Sequence, residues 1–294
     1  NYPNIAIEYF QIFSDKFQYP KASDILIVLI SVNLILKNII SKKSYIYLFS
    51  FTTPLLLPLL IYKSRGAALA LAVYLVIELL THYKYIISHK KILFSSLFIF
   101  SLLFSFSSLR IATNYKLIEV DEEVLVSYEE FTGSVTEVIT KKETLQTFFS
   151  LYIENGRLES SDPTTNWRLD IWQDVYYGLK EESKLLKGYG YLEIIPVMLD
   201  PSAPGRLGKD GLNENVHNIF ITVLSRGGVL HLLIYILFFI SLFFEKFKYF
   251  NLNTLPLVIP AYVNSFFDIG LDGVQFPFVF FFTLGYIIYA SKQE

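Results

Sequence analysis

The sequence contains no cysteine, and this absence excludes several kinds of chemistry. Among its 294 residues there is also only one methionine. Without cysteine the chain forms no disulfide, attaches no haem covalently and uses no thiolate as nucleophile or metal ligand. The absence does not assign a cellular compartment. The chain begins at Asn1 rather than at a methionine, within a polar segment that continues to Asp24. We therefore expect it to be part of a longer protein.

An excess of charge of one sign is also missing. Lys and Arg number 25 and Asp and Glu number 27, so the formal net charge is -2. This balance gives no indication of a nucleic-acid partner, and we expect none. Apolar residues, in contrast, are abundant: 53% of the chain is hydrophobic and 17% is aromatic. Because a soluble domain of this size has fewer unbroken apolar runs, the composition predicts a membrane protein.

The apolar residues fall into runs that are each close to the length of a membrane-crossing helix, about 20 residues. In a bilayer such runs must be helical, because no water is present to satisfy the backbone. The predicted fold is therefore an all-α polytopic membrane protein with about seven transmembrane helices. The predicted spans are Asp24–Ile40, Ser44–Tyr62, Gly66–Leu80, Ile92–Leu109, His217–Phe244, Leu252–Gly270 and Phe276–Ala290.

The short loops predict the orientation of these spans. If the spans alternate, every lysine cluster lies on one side, and the positive-inside rule makes that side cytoplasmic. The opposite side, which is the periplasm in a Gram-negative cell, then holds the long polar stretch. We expect the protein in the bacterial inner membrane. The clusters are Lys37, Lys42 and Lys43; Lys84, Lys90 and Lys91; Lys246 and Lys248; and Lys292.

Three parts follow from this reading. Residues 1–109 hold the first four spans, residues 110–216 form a mainly helical periplasmic insert, and residues 217–294 hold the last three spans. The sequence indicates the secondary structure of the insert mainly in its second half. There Asp162 and Pro163 predict a helix start, and an apolar residue then recurs every four positions, at Trp167, Ile171, Val175 and Leu179.

Further along the insert, the sequence favours loops and turns. Gly188-Tyr189-Gly190 predicts a turn, and the Pro- and Gly-rich stretch Pro201–Asn215 predicts a loop. The acidic stretch Glu119–Glu130 carries no legible role.

Three residues at the outer ends of these elements could carry chemistry. Arg65 opens the third span, Arg168 lies on the insert helix, and His217 opens the fifth span. Each also has a plain structural interpretation: an interfacial anchor for Arg65, a surface ion pair with Asp170 or Asp174 for Arg168, and an interfacial cap for His217. The alternatives are two anion-binding guanidinium groups and a general base with an ordinary pKa near 6.5.

Other polar residues are weaker candidates. We expect Glu78 to extend to the cytoplasmic interface and His231 to be structural and far from the outer surface. Asp268 and Asp272, at the outer end of the sixth span, could border the same site.

The order of short motifs resembles the O-antigen ligase and polymerase family, which includes lipid A-core ligases and Wzy-type polysaccharide polymerases. The resemblance rests on Ser64-Arg65-Gly66-Ala67, on Arg168 with Trp172, on Lys187-Gly188-Tyr189-Gly190, and on His217-Asn218-Ile219-Phe220 followed by Gly227-Gly228. His231 stands where the family often has a further glycine, which puts close helix packing there in doubt.

The resemblance implies a membrane glycosyltransferase of lipopolysaccharide or polysaccharide biosynthesis. Its donor would be a glycan linked to undecaprenyl pyrophosphate, and its acceptor a hydroxyl on a lipid or glycan. His217 would be the catalytic base, with Arg65, Arg168, Trp172 and Asn218 binding substrate. No cofactor or metal is expected, and the sequence has no Asp-x-Asp motif.

Two classes other than an enzyme remain open from the residues. A polysaccharide transporter or flippase would explain the spans and intramembrane polar residues such as Asn33 and Asn264. It would not explain a large external insert, and the halves show no repeat. A non-catalytic envelope scaffold would use the insert to bind partners. Ligase and polymerase differ in their acceptor, which the sequence does not identify.

Overall fold

The computed structural model of the protein describes residues 21–114, 150–200, 206, 216–242, 244–245, 249–250, 252–268 and 270–291. These parts are mainly helical, in agreement with the predicted all-α class. In chain order the helices are α1 Ala22–Ile39, α2 Lys42–Lys63, α3 Arg65–Ser88, α4 Lys90–Asn114, α5 Pro163–Glu181, α6 Ile219–Ser241, α7 Leu255–Ser265 and α8 Gln275–Ala290. Two short hairpins, β1 Leu151–Glu154 with β2 Arg157–Ser160 and β3 Phe244–Glu245 with β4 Tyr249–Phe250, are antiparallel.

Five helices in the described parts are long and apolar enough to cross a membrane: α1, α2, α3, α4 and α6. The two others expected to do so are shorter, with 11 residues in α7 and 16 in α8. Helix α8 matches its predicted bounds to within one residue, whereas α7 begins after a 3-10 turn at Leu252–Thr254 and ends at Ser265 rather than Gly270. The structure therefore supports a polytopic helical protein, while the count of seven spans stays a prediction.

The described part of the helical bundle has an apolar core built mainly by helices α1, α3, α7 and α8, with Leu60 of α2 and Phe239 of α6 at its edge. Small residues at the start of α3 let its neighbours approach closely, since Gly66, Ala67 and Ala70 are all buried. Large side chains from the other helices fill the space around them. These are Leu26 and Ile30 of α1, Leu257 of α7, and Phe276 and Phe280 of α8.

The lysine-rich end of the bundle contains a buried polar cluster around Glu78. This side chain is only 2% exposed. It accepts hydrogen bonds from Lys37 Nζ at 2.9 Å and from Tyr45 Oη at 2.8 Å, and His82 Nε2 lies 3.4 Å away. The expectation that Glu78 extends to the interface is therefore wrong. A cation from α1 reaches it instead, which satisfies a carboxylate that would be costly to bury alone.

The insert folds around helix α5. Asp162 caps the helix by accepting a hydrogen bond from the backbone N–H of Thr165 at 3.1 Å. As the apolar stripe predicts, Ile171, Val175 and Leu179 are fully buried. The stretch Glu119–Glu130, most of Pro201–Asn215, and the lysines at 246, 248 and 292 lie outside the described residues.

The segment Leu185–Leu192, which we call the docking segment, joins the insert to α6. Tyr189 and Gly190 donate backbone hydrogen bonds to the carbonyls of Ser225 and Arg226 at 2.7 and 2.9 Å. In return, Val229 N–H donates to Leu185 O at 2.9 Å. These groups are free to pair because α6 is interrupted at Gly228, whose φ of 70° is left-handed.

Two glycines allow this close backbone contact. A Cβ at Gly188 would lie 2.5 Å from the Arg226 carbonyl group, and a Cβ at Gly228 would overlap the backbone of Leu186. His231, further along α6, lies 3.1 Å from the Tyr191 hydroxyl through its Nδ1. The docking segment therefore reaches beyond the kink to His231, while the expectation that His231 lies far from the outer surface stays a prediction.

Candidate active site

Several helix ends meet on the side of the bundle that carries the insert. Arg65 is the first residue of α3, and Ser64 caps that helix by accepting from Ala67 N–H at 3.3 Å. Gly66 packs so closely on Phe267 that a Cβ there would overlap the Phe267 side chain. This contact brings Arg65 beside the turn that follows α7, where Asp268 lies. Gly66 thus permits a close approach between α3 and this turn.

Asp162 connects the bundle to the insert. Its Oδ2 atom lies 2.9 Å from Nη1 of Arg65, and the same oxygen caps α5. Asp162 is buried, whereas the Arg65 side chain is 42% exposed. One carboxylate therefore fixes both the position of the insert helix and the direction of Arg65. The sequence predicted the cap but not the ion pair, since nothing local indicates a partner nearly a hundred residues away.

Arg168 is on α5, and it lies among charges from the bundle and from the insert. Burial lowers the pKa of Arg168; the negative charges of Asp268 and Asp162 oppose this effect, and the positive charge of Arg65 adds to it. The guanidinium remains charged at neutral pH. Its Nε atom is inaccessible to solvent and has no hydrogen-bond partner within the described residues. A buried cationic donor without a partner is costly, and an anionic ligand would satisfy it.

His217 is held in an uncommon backbone conformation just before α6. Its φ of 52° is left-handed, which is rare outside glycine and favours a specific role. On its N-terminal side, Trp172 Nε1 donates to the Val216 carbonyl at 2.7 Å. On its C-terminal side, the Asn218 side chain caps α6 by accepting from Phe220 and Ile221 N–H. These contacts hold the backbone on both sides of His217.

The surroundings of His217 favour its neutral form. Its ring packs on Trp167 with 5.1 Å between centroids. Burial lowers the pKa of His217 to about 4; the charge of Arg168 lowers it too, Asp268 opposes, and Lys21 lowers it further. The imidazole is therefore neutral at physiological pH and has a lone pair available for a proton.

The structure brings Arg65, Arg168 and His217 into one electrostatic cluster. Trp172 and Asn218, which the resemblance implied as substrate-binding residues, bond the backbone on either side of His217 and so position it. Their contact with substrate stays a prediction. Asp268 belongs to the cluster through its charge, whereas Asp272 acts on Tyr191, whose pKa is raised first by burial and then by this carboxylate.

Sequence reasoning missed Lys21 and the contact made by Trp167. Lys21 is the residue before α1, and its charge reaches His217 only through the packing of the bundle. The four-residue spacing of Trp167 and Ile171 indicated only an apolar stripe, so the contact of Trp167 with the imidazole was not predicted.

No group of three or more His, Asp or Glu side chains that could hold a metal ion occurs in the described parts of the chain. The expectation that the protein needs no metal stays a prediction.

A protein-family model described as O-antigen ligase matches residues 51–236. The chain belongs to the O-antigen ligase family. The match runs from α2 into α6 and includes Arg65, Arg168 and His217, so the residues gathered by the fold all lie within the family's shared region. Searches of curated proteins and of solved structures gave no significant match.

Membership confirms the resemblance expected from the short motifs. As an O-antigen ligase family member with several membrane-length helices, the chain is a multi-pass membrane protein of the ligase or polymerase type of glycosyltransferase. Lipid-linked glycans and membrane lipids are the partners that this family implies. The match favours the enzyme over the transporter and the scaffold.

Proposed function

We propose that the protein transfers a glycan from undecaprenyl pyrophosphate to a hydroxyl of a lipid or glycan acceptor, on the periplasmic face of the bacterial inner membrane. The observation that carries this proposal is Arg168, whose buried Nε has no partner within the described residues and lies beside a neutral histidine. A phosphate oxygen would accept a hydrogen bond from this nitrogen. Planar guanidinium groups match the geometry of phosphate oxygens better than ammonium groups do.

Arg65 and Arg168 hold the pyrophosphate from two sides. Arg65 is partly exposed and directed by Asp162, so it can reach a ligand that enters from solvent or from the bilayer surface. Arg168 approaches from the insert. Positive groups that are already in place stabilise the charge that develops on the leaving group without further reorganisation.

His217 is the general base. In the reaction the acceptor oxygen attacks the anomeric carbon, and the bond from that carbon to the phosphate oxygen breaks. The hydroxyl proton passes to the imidazole, and undecaprenyl pyrophosphate departs with its charge held by the two arginines. The proton on His217 is then released to water. A single displacement of this kind inverts the anomeric configuration.

The low pKa of His217 has a consequence for the order of events. Part of the lowering comes from the positive charge of Arg168. When the pyrophosphate pairs with Arg168, its negative charge offsets this effect and raises the basicity of the imidazole. His217 is therefore a stronger base once the donor is bound.

The assignment of the periplasmic face rests on the lysines. Lys37, Lys42, Lys84 and Lys90 all lie at the end of the bundle opposite Arg65, because α1 to α4 alternate in direction. The positive-inside rule makes that end cytoplasmic and the Arg65 end periplasmic.

Transfer of a labelled glycan from the lipid-linked donor, measured in membranes that contain the full-length protein, tests this function. His217→Asn is the informative change, since asparagine tolerates a left-handed backbone but cannot act as a base. Its matched control is His89→Asn, because His89 is exposed at the other end of the bundle and stacks on Tyr85.

A second pair of variants tests the role of Arg168 in phosphate binding. Arg168→Lys keeps the charge but loses the guanidinium geometry, while Arg157→Lys makes the same change at an arginine that pairs with Asp170 and Asp174 on the insert. We expect His217→Asn and Arg168→Lys each to lower the transfer rate by about 100-fold or more, with both controls near the parent. Transfer at the parent rate by His217→Asn would refute the assigned base.

A further inference from the structure

The docking segment has two faces of different character. Its inner face is fixed to α6 by the backbone hydrogen bonds of Leu185, Tyr189 and Gly190, and the Tyr189 ring is buried against the insert core. Its outer face carries Leu186, which is 69% exposed, and Leu192, which is 102% exposed. Two exposed leucines on a rigidly held loop are unusual for a surface that meets only water.

The depth of this segment along α6 is fixed by contacts. Leu186 lies against Gly228, and the Tyr191 hydroxyl lies 3.1 Å from His231 Nδ1. The exposed apolar row of α6 begins at this level. It comprises Leu230, Leu233, Ile234 and Leu237, each more than half exposed.

In a multi-pass membrane protein that row faces lipid, because α6 is a membrane-length helix and nothing else in the described parts covers these side chains. Leu186 and Leu192 are exposed on the segment whose backbone packs against α6 where this row begins.

Polar groups of the kind found at a bilayer edge lie beside the segment. The charges of Asp272 and Arg226 both reach Tyr191, and Lys187 is exposed next to Leu186. Tyrosine and lysine are typical of the headgroup region, where one end of the side chain meets apolar matter and the other meets water.

We propose that the docking segment lies within the interfacial layer of the bilayer, with Leu186 and Leu192 inserted between phospholipid acyl chains. Non-helical backbone is tolerated at that depth only if its polar groups are paired. The hydrogen bonds to Ser225, Arg226 and Val229, which the kink at Gly228 makes available, provide that pairing. The insert is thereby anchored to the membrane surface next to the candidate active site.

Spin-label accessibility tests this placement without an activity readout, so its outcome is independent of the proposed glycosyl transfer. These 294 residues contain no cysteine, so each single-cysteine variant carries one reactive thiol once any cysteine outside them is replaced by serine. Leu186→Cys and Leu192→Cys are labelled in the full-length protein, which is reconstituted in nanodiscs of phosphatidylethanolamine and phosphatidylglycerol. Leu237→Cys is the lipid-facing control, and Glu181→Cys, at the exposed end of α5, is the aqueous control.

We expect labels at 186 and 192 to show the high oxygen and low nickel-chelate accessibility found at 237, with an oxygen-to-nickel ratio several-fold above that at 181. A ratio at 186 and 192 equal to that at 181 would refute the proposal. So would a low ratio that rises only when undecaprenyl phosphate is added, because the donor tail rather than the bilayer would then be the occupant.

Discussion

The position of His217 depends on contacts between residues that are far apart in the sequence. Its left-handed backbone is held between the Trp172 hydrogen bond to Val216 and the Asn218 cap. A change of either residue would loosen the backbone that presents the imidazole, while the ring contact with Trp167 would remain. Trp172 and Asn218 therefore act on the reaction through the position of His217.

The pH dependence of transfer follows from the lowered pKa of His217. Protonation removes the base, so activity is lost as pH falls through the folded-state pKa, and the acidic limb of kcat/KM should lie near pH 4 rather than near 6.5. The limb of kcat, which reports the donor-bound enzyme, should lie at higher pH because the pyrophosphate offsets Arg168.

Arg168→Gln provides the control for this profile. Removal of the positive charge should move the kcat/KM limb upward, in the residual activity of the variant, while Arg157→Gln should leave it in place. A limb of kcat/KM at pH 6.5 or above in the parent would contradict the electrostatic account of His217.

Metal removal tests the two arginines. Because Arg65 and Arg168 supply the positive charge that a divalent cation would otherwise supply, transfer should persist in excess EDTA. The measurement is the initial transfer rate with and without the chelator, in membranes washed free of divalent ions. Loss of activity that magnesium or manganese restores would remove the arginines from the leaving-group role.

Among single residues, the sequence indicated those that stand in local motifs but not the contacts between residues on different helices. The resemblance to a family located Arg65, Arg168 and His217, since each stands in a short local motif. Glu78 was assigned wrongly because its partner Lys37 comes from another helix. The pairing of Asp162 with Arg65 was missed for the same reason.

Among the elements, α6 determines how the insert meets the bundle. Its break at Gly228 exposes backbone groups that an unbroken helix would use internally, and the docking segment pairs with them. A pair of adjacent glycines, Gly227-Gly228, is visible in the sequence. The kink and its partner are not, because both depend on a segment about forty residues earlier in the chain.

Substitution of Gly228 by alanine should open this junction. An added Cβ would both strain a backbone at φ 70° and ψ -173°, at a cost of about 1–3 kcal/mol, and overlap Leu186. We expect faster tryptic cleavage after Lys187 in the detergent-solubilised protein, since cleavage there follows local opening.

Two other glycines separate the causes. Gly156→Ala also places a side chain at a positive φ, 78°, but with open space around it, and Gly285→Ala adds a methyl group within α8 without a close neighbour. Cleavage after Lys187 should change little in either. Equal cleavage in Gly228→Ala and Gly156→Ala would show that the overlap with Leu186 has no effect.

Element lengths show where hydropathy is a sufficient guide. The apolar runs located all the helices of the bundle, and helix α5 begins after Asp162 as its cap residue predicted. The runs did not reveal the 3-10 turn at Leu252–Thr254 or the end of α7 at Ser265, which together shorten that span. Similarly, α3 continues to Ser88, beyond the predicted end at Leu80.

For the whole molecule, sidedness is the feature on which the location of the site depends. A reporter fused near Asp162 should be active outside the cytoplasm, and one fused near Lys90 should be active inside it. Paired alkaline phosphatase and green fluorescent protein fusions in intact cells measure both. Phosphatase activity confined to the Lys90 fusion would place the candidate site in the cytoplasm and overturn the proposed donor.

The central claim is that the bundle and the insert together present a neutral His217 as the base beside two arginines. The most direct test is transfer by His217→Gly with and without added imidazole, because glycine adopts the left-handed backbone at this position without strain. The account predicts that the variant is inactive alone, that imidazole restores transfer in a saturable way, and that imidazole leaves Arg168→Gln unrestored. Undiminished transfer by His217→Gly without imidazole would contradict the account.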